Sequence, residues 1–252
     1  MFRNIIHSSW CIGFPDKLFC LHYSDFDWII LTYKSFEVTM DIVYEKFLNI
    51  FHRENQATEI AVTKFSDFFS IPQKWMGSFA SMNISITKLK NGKYFISNGK
   101  SKGFFLENNS DIEKIPNVSC EYKELQKSLG KITDLFGFTN RYFENIIEIF
   151  SNDSESIGLG EFTAEYLNRT KKEKNVETIN IDNLFTIAYE ANGNRILLDN
   201  NNNIYIYGHD LAVHHYQVID DVPKNTFYKI PNIYTLSEFV VCFFKDFFNL
   251  KT

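Results

Sequence analysis

Two stretches of the chain alternate apolar and polar residues and are punctuated by Asn-Gly pairs. Between Asn83 and Glu107 the runs ISITKL, KYFIS and GFFLE are separated by Asn91-Gly92 and Asn98-Gly99. Between Leu184 and Asp210 three comparable runs are separated by Asn192-Gly193 and by Asn200 to Asn203. A type I′ turn needs positive φ at both central residues, which Asn and Gly tolerate, so each stretch predicts a meander of three antiparallel strands.

Helical spacing appears elsewhere. Thr235-Leu-Ser-Glu238 reads as a capping box opening an apolar helix that runs almost to the C-terminus. Phe26 to Tyr33 predicts a buried strand, followed by a helix capped by Ser35 with Met40, Val43, Tyr44, Phe47, Leu48 and Phe51 on one face. A short helix is expected at Phe65 to Phe69, ending before Ile71-Pro72. Phe143, Ile146, Ile147 and Phe150 predict a helix over Phe138 to Phe150, capped by Thr139 or Asn140. Gly158-Leu-Gly160 precedes a short helix from Glu161 to Asn168, and the polar tract to Thr178 reads as an exposed loop.

The expected fold class is α+β, antiparallel meanders packed with helices. Ser110 to Lys131, polar and helix-prone, is the candidate linker, dividing the chain into an N-terminal lobe, 1–115, and a C-terminal lobe, 116–252. Two meanders, each with helices, raise two similar lobes made by tandem duplication, although residue identity between the halves is weak.

In the C-terminal part, Asp199 ends a strand, Ile204 to Tyr207 form an aromatic strand running on to His209-Asp210, and Leu236 to Phe239 open the last helix. This order resembles the C-terminal half of the SUKH superfamily core. The resemblance implies an α+β domain and, for many members, immunity proteins that neutralise toxins deployed between bacteria; others occur in yeast cell-wall regulation and in large DNA viruses.

Composition adds limits. The chain has 252 residues, 44% of them hydrophobic and 23% charged, as in ordinary globular proteins, but aromatics reach 17% and Phe alone contributes 26. A Phe-packed core is the simplest reading. Net charge is −5 with both signs interspersed, and the densest basic run, Lys171-Lys172-Glu173-Lys174, is short and interrupted, so direct nucleic-acid binding is not expected. The longest apolar run, Phe239 to Phe248, is broken by Lys245-Asp246 and falls short of the roughly 20 residues that cross a bilayer. The N-terminus has no sustained apolar segment, and Cys11, Cys20, Cys120 and Cys242 form no CxxC pair. A cytoplasmic protein with reduced thiols is the expectation.

Candidate chemistry is sparse. Gly158-Leu-Gly160 could cradle a phosphate at a helix start, but Glu161 would repel it there and a tight turn is the better reading. His209, Asp210, His214 and His215 are the densest set of potential metal ligands, yet adjacent residues of a strand face opposite sides. Cys20 with His22 lacks an orienting third group. Asp199, Asp210, Asp220 and Asp221 make a hydrolase pair only if the fold gathers them, and Asp at a turn start commonly bonds its own backbone. No cofactor, no metal and no catalytic residue are called for. The expected function is binding: an immunity-type protein blocking a cognate, basic, nuclease-like toxin sterically and electrostatically through Glu161, Asp199, Tyr205, Tyr207, His209 and Asp210. The alternatives are a viral or host-interacting relative that binds a defence protein, and a metal-dependent enzyme using His209, Asp210 and His214. Oligomeric state is left open.

Overall fold

The computed structural model describes residues 57–107, 118–138, 142–143, 145–151, 156–173, 177–208 and 216–250, all within the compact unit Tyr44–Thr252. They form an open α+β structure around one antiparallel sheet. Its strands are β1 (Ala57–Lys64), β2 (Asn83–Leu89), β3 (Tyr94–Ser97), β4 (Gly103–Glu107), β5 (Lys131–Phe136), β6 (Ile146–Ile149), β7 (Phe185–Glu190), β8 (Arg195–Leu198), β9 (Ile204–Tyr207), β10 (Gln217–Val218) and β11 (Phe227–Lys229). Spatial order follows chain order except at the end, where β11 lies between β9 and β10. The expected meanders are β2-β3-β4 and β7-β8-β9. β4 pairs β5, so one sheet holds strands from before and after the expected boundary.

The two meanders share one hydrogen-bond pattern, displaced by 101 residues. Leu89 N–H donates to Lys93 O and Gly92 N–H to Leu89 O; Glu190 N–H donates to Asn194 O and Gly193 N–H to Glu190 O. In the next turns, Asn98 Oδ1 accepts from the backbone N–H of Lys100 and Lys102, as Asp199 Oδ1 accepts from Asn201 and Asn203. The pairing extends the match: β1 to β5 lie side by side in one half and β6, β7, β8, β9 and β11 in the other, joined where β5 pairs β6. Five is an odd number, so in an antiparallel sheet the second set starts with its first strand reversed and is turned over. Ile96 accordingly lies in the large core, whereas the matched Leu197 lies in a separate cluster on the opposite face.

The large core is packed by helices. α1 (Phe65–Phe68), α2 (Gln73–Met76), α3 (Cys120–Leu129) and α5 (Leu236–Phe247) contribute buried residues to it, while α4 (Thr163–Lys172) covers the second cluster through Tyr166. α5 begins with the expected capping box: Glu238 N–H donates to Thr235 Oγ1, and Thr235 N–H to Glu238 Oε2. Phe243 shows how the phenylalanines are used. It stacks on Phe138 at 5.2 Å and meets Phe143 and Phe150 edge-on at 5.4 and 6.0 Å. Removing such a ring costs about 3–5 kcal/mol, because the cavity adds to the lost transfer energy.

α5 also ties the halves together. At its start, Leu236 N–H donates to Asn202 O in the turn before β9. At its end, Asn98 Nδ2 donates to Phe247 O, and Lys102 Nζ donates to Asp246 O at 2.6 Å and to its carboxylate at 2.9 Å. A cation at a helix C-terminus is electrostatically favourable because the unpaired carbonyls there carry negative potential.

The structure corrects one expectation plainly. Phe138 to Phe150 contains no long helix among its described residues; Ile146–Ile149 is strand β6, seated between β5 and β7. Phe143, Ile146, Ile149 and Phe150 are buried and Ile147 is exposed, with the register shifting between Ile146 and Glu148. Helical spacing and a bulged strand bury nearly the same residues here, and hydrogen bonds from both neighbouring strands decide for the strand. The helix expected at Glu161 to Asn168 runs instead from Thr163 to Lys172, after a 3-10 turn at Gly160–Phe162, so Lys171 and Lys172 sit in its exposed last turn. The strand at Phe26 to Tyr33, the helix after Ser35 and the Cys20–His22 pair lie outside the described residues.

Candidate functional site at the Arg195 row

Strand register lines up Tyr189 of β7, Arg195 of β8, Tyr207 of β9 and Phe227 of β11 in one cross-strand row. Leu197 and Tyr207 belong to the cluster below α4, so the row faces that helix. Opposite residues in adjacent strands touch, which makes the row a single packing unit.

A charged residue in such a row needs help. Arg195 is only 8% exposed. Its guanidinium lies 5.2 Å from the centre of the Phe162 ring and 5.1 Å from that of Tyr189, so two π faces offset part of its lost hydration. Phe162 in turn stacks on Tyr207 at 5.8 Å, and Tyr207 meets Phe227 edge-on at 5.5 Å. Gly160 completes the enclosure. Its φ is +54°, a backbone that favours glycine, and a Cβ there would lie 3.0 Å from Nη2, so a larger residue would strain the turn and press on the guanidinium.

The polar edge of Arg195 is only partly satisfied. Nη2 lies 3.5 Å from Glu161 Oε1, while Nε and Nη1 meet no acceptor among the described residues. The pair is lopsided, because the side chain of Glu161 is 74% exposed. A buried cation thus sits directly behind an exposed carboxylate, on a loop whose shape is set by Gly160 and Phe162.

The other expected contact residues divide. Asp199 is occupied within its own turn: its carboxylate accepts from the N–H of Asn201 and of Asn203, each at 2.8 Å, from Asn203 Nδ2 at 2.9 Å and from the Tyr205 hydroxyl at 3.3 Å. Tyr205 is half-buried, and burial first, then the Asp199 charge, holds its phenol above the ordinary value. Tyr207 is 1% exposed, so it supports the Phe162 loop from below and presents no area of its own. Burial, and next the charge of Glu165, pushes its phenol up to about 12, with Arg169 acting the other way.

His209, Asp210, His214 and His215 lie outside the described residues, and among the described residues no group of three His, Cys, Asp or Glu side chains could hold a metal. Asp220 and Asp221 are exposed ahead of β11. Gly158-Leu-Gly160 is committed to the sheet, with Gly158 N–H donating to Leu184 O and the Thr186 hydroxyl donating to Gly158 O. No helix among the described residues is long and apolar enough to cross a membrane.

Sequence reasoning named Glu161 and Tyr207 but missed Arg195, which links them. Its one signal was a cation opening the apolar run RILL directly after an Asn-Gly turn. Compared with known proteins, the chain matches no family model, no curated protein and no solved structure.

Proposed function

We propose that this chain is an immunity-type binding protein that neutralises a cognate, basic toxin in the cytoplasm by covering it. The observation that supports this reading is the pre-formed Glu161 loop. A carboxylate presented on a loop held by a buried guanidinium, two rings and a glycine of positive φ loses little conformational freedom on binding, and rigid presentation raises affinity by lowering that cost. Exposed Asp182 and Asp221 adjoin Ile181 and Val222, which pack in the same cluster as Tyr207, while Lys171 and Lys172 are exposed at the far end of α4. An acidic surface speeds encounter with a basic partner and disfavours wrong ones. The order of strands and last helix that resembles the SUKH core supports the same reading.

The test is capture of a stoichiometric toxin by the tagged protein, from its native cell or with the product of the adjacent gene, followed by a salt titration. Glu161→Lys should weaken the complex by about tenfold, mainly through slower association, and flatten its salt dependence. A complex indifferent to both salt and Glu161→Lys would defeat the electrostatic reading.

A further inference from the structure

Three Asn-Gly pairs close turns of the sheet, at Asn91, Asn98 and Asn192. The dipeptide is chemically labile, because glycine has no Cβ to keep its backbone nitrogen away from the Cγ of the asparagine before it. Attack there closes a succinimide: the bond from the glycine nitrogen to Cγ forms, the Cγ–Nδ2 bond breaks, and ammonia leaves with the glycine proton. Water then opens the ring at either carbonyl, giving aspartate or isoaspartate. As dipeptides the three pairs are equal, and their surroundings set them apart.

Asn98 is clamped. Its Oδ1 accepts from the N–H of Lys100, Ser101 and Lys102, each at 3.0 Å, and its Nδ2, the leaving group, donates to Phe247 O at 2.7 Å. The attacking nitrogen, Gly99 N, donates to the hydroxyl of buried Ser97 at 2.9 Å. Turning Cγ toward that nitrogen breaks four bonds of the asparagine side chain.

Asn91 and Asn192 are held less firmly. Asn91 Oδ1 accepts from Lys93 N–H at 3.0 Å and Asn192 Oδ1 from Asn194 N–H at 3.2 Å. The attacking nitrogens are also alike, Gly92 N–H donating to Leu89 O and Gly193 N–H to Glu190 O. Charge separates the two. Ring closure builds negative charge on the attacking nitrogen and then on the amide oxygen, so cations nearby lower the barrier and anions raise it. Asn91 is exposed between Lys90 and Lys93, the latter also paired with Glu107. Asn192 is half-buried, and the carboxylate of buried Glu190 accepts from Asn194 Nδ2 at 2.8 Å beside it.

We propose that Asn91, activated by its flanking lysines, is a site of spontaneous conversion to aspartate and isoaspartate in the folded protein, and that the fold protects Asn98. Isoaspartate adds one atom to the main chain between β2 and β3, where Leu89 and Lys93 pair. The same change at Asn98 would release the end of α5.

Peptide mapping by mass spectrometry tests this on protein aged at neutral pH, folded and, in parallel, unfolded in urea. In the folded protein Asn91 should convert first and Asn192 a few times more slowly. Asn98 should lag Asn91 on the order of a hundredfold, because three more bonds must break there than at Asn91. In urea the clamp is gone, and Asn98 should convert within a few fold of Asn91. Lys90→Glu, at an exposed position, should slow Asn91 and leave Asn192 unchanged. Folded protein in which Asn98 keeps pace with Asn91, or in which Asn192 precedes it, would overturn the proposal. So would a lag of Asn98 that persists in urea, or an Asn91 rate indifferent to Lys90→Glu.

Discussion

The turns Asn98–Lys102 and Asp199–Asn203 share two side-chain-to-backbone hydrogen bonds, yet each serves the opposite end of a helix. The first meets the C-terminus of α5, where Lys102 and Asn98 donate to Asp246 and Phe247. The second meets the N-terminus of α3, where the hydroxyl of Ser119, the cap residue, donates to Asn202 Oδ1 and Asn202 Nδ2 donates to Glu121. A hydrogen-bond pattern can therefore be repeated while the side chains around it are chosen by the potential of the helix end it faces. Donors and a cation gather where carbonyls are unpaired; a cap hydroxyl and a carboxylate gather where N–H groups are.

The largest test of that difference is Lys102→Met. The Lys102–Asp246 pair is almost wholly buried, so losing the cation strands a carboxylate and should cost about 3–5 kcal/mol in urea unfolding. Adding Asp246→Leu should recover most of the loss, since an apolar pair of similar volume often replaces a buried ion pair without penalty. A Lys102→Met variant as stable as the wild type would mean that the first turn does not depend on its helix.

Exchanging the turn residues sharpens the likeness. Asp199→Ala removes the acceptor of four hydrogen bonds and should cost about 1–3 kcal/mol. Asp199→Asn should cost about 1 kcal/mol or less, because Asn98 accepts the two matching backbone bonds with an amide oxygen. Equal damage from the two substitutions would show that the carboxylate itself is needed and that the turns are not equivalent.

At the facing helix ends the effects are smaller. Ser119→Ala should cost about 1 kcal/mol, the usual value of a cap hydroxyl, as should Thr235→Ala at the start of α5. Thermal unfolding of both variants checks this, and a loss at one site only would separate the two helices.

A pH-dependent effect lies at Tyr207, whose matched position in the first half is Leu106, an apolar core residue. A phenol in such a place stays neutral: its folded pKa, about 12, lies above the roughly 10 of an unfolded chain. The stabilisation from keeping it protonated is complete below about pH 10 and disappears as pH rises through the folded value. Tyrosinate absorbance should show a late-titrating group that is absent in Tyr207→Phe, and that variant should lose less stability between those two pH values.

Much of this architecture was legible beforehand because it depends on neighbours in the chain. The Asn-Gly turns, the Thr235 to Glu238 box and the apolar face of the last helix are all closed by hydrogen bonds or contacts within a few residues. β6 was misread as helix because Phe143, Ile146 and Phe150 suit either period, and the bonds that decide come from β5 and β7. The candidate site was legible only in pieces. Glu161 and Tyr207 could be named, but the guanidinium that links them enters from a different strand, and its partners Phe162 and Tyr189 lie 33 and 6 residues away from it in sequence.

By itself, then, the sequence determined the local alphabet of this protein: which residues turn, which cap, and which face inward once a period is chosen. The tertiary structure decided how that alphabet was used: β5 joined to β6 through the middle of one sheet, the second half turned over, α5 stretched between two matched turns, and Arg195 enclosed beside an exposed Glu161. The physical reason is range. Turns and caps satisfy backbone groups within a few residues, whereas strand pairing and burial of a charge depend on partners that only the folded chain brings into reach.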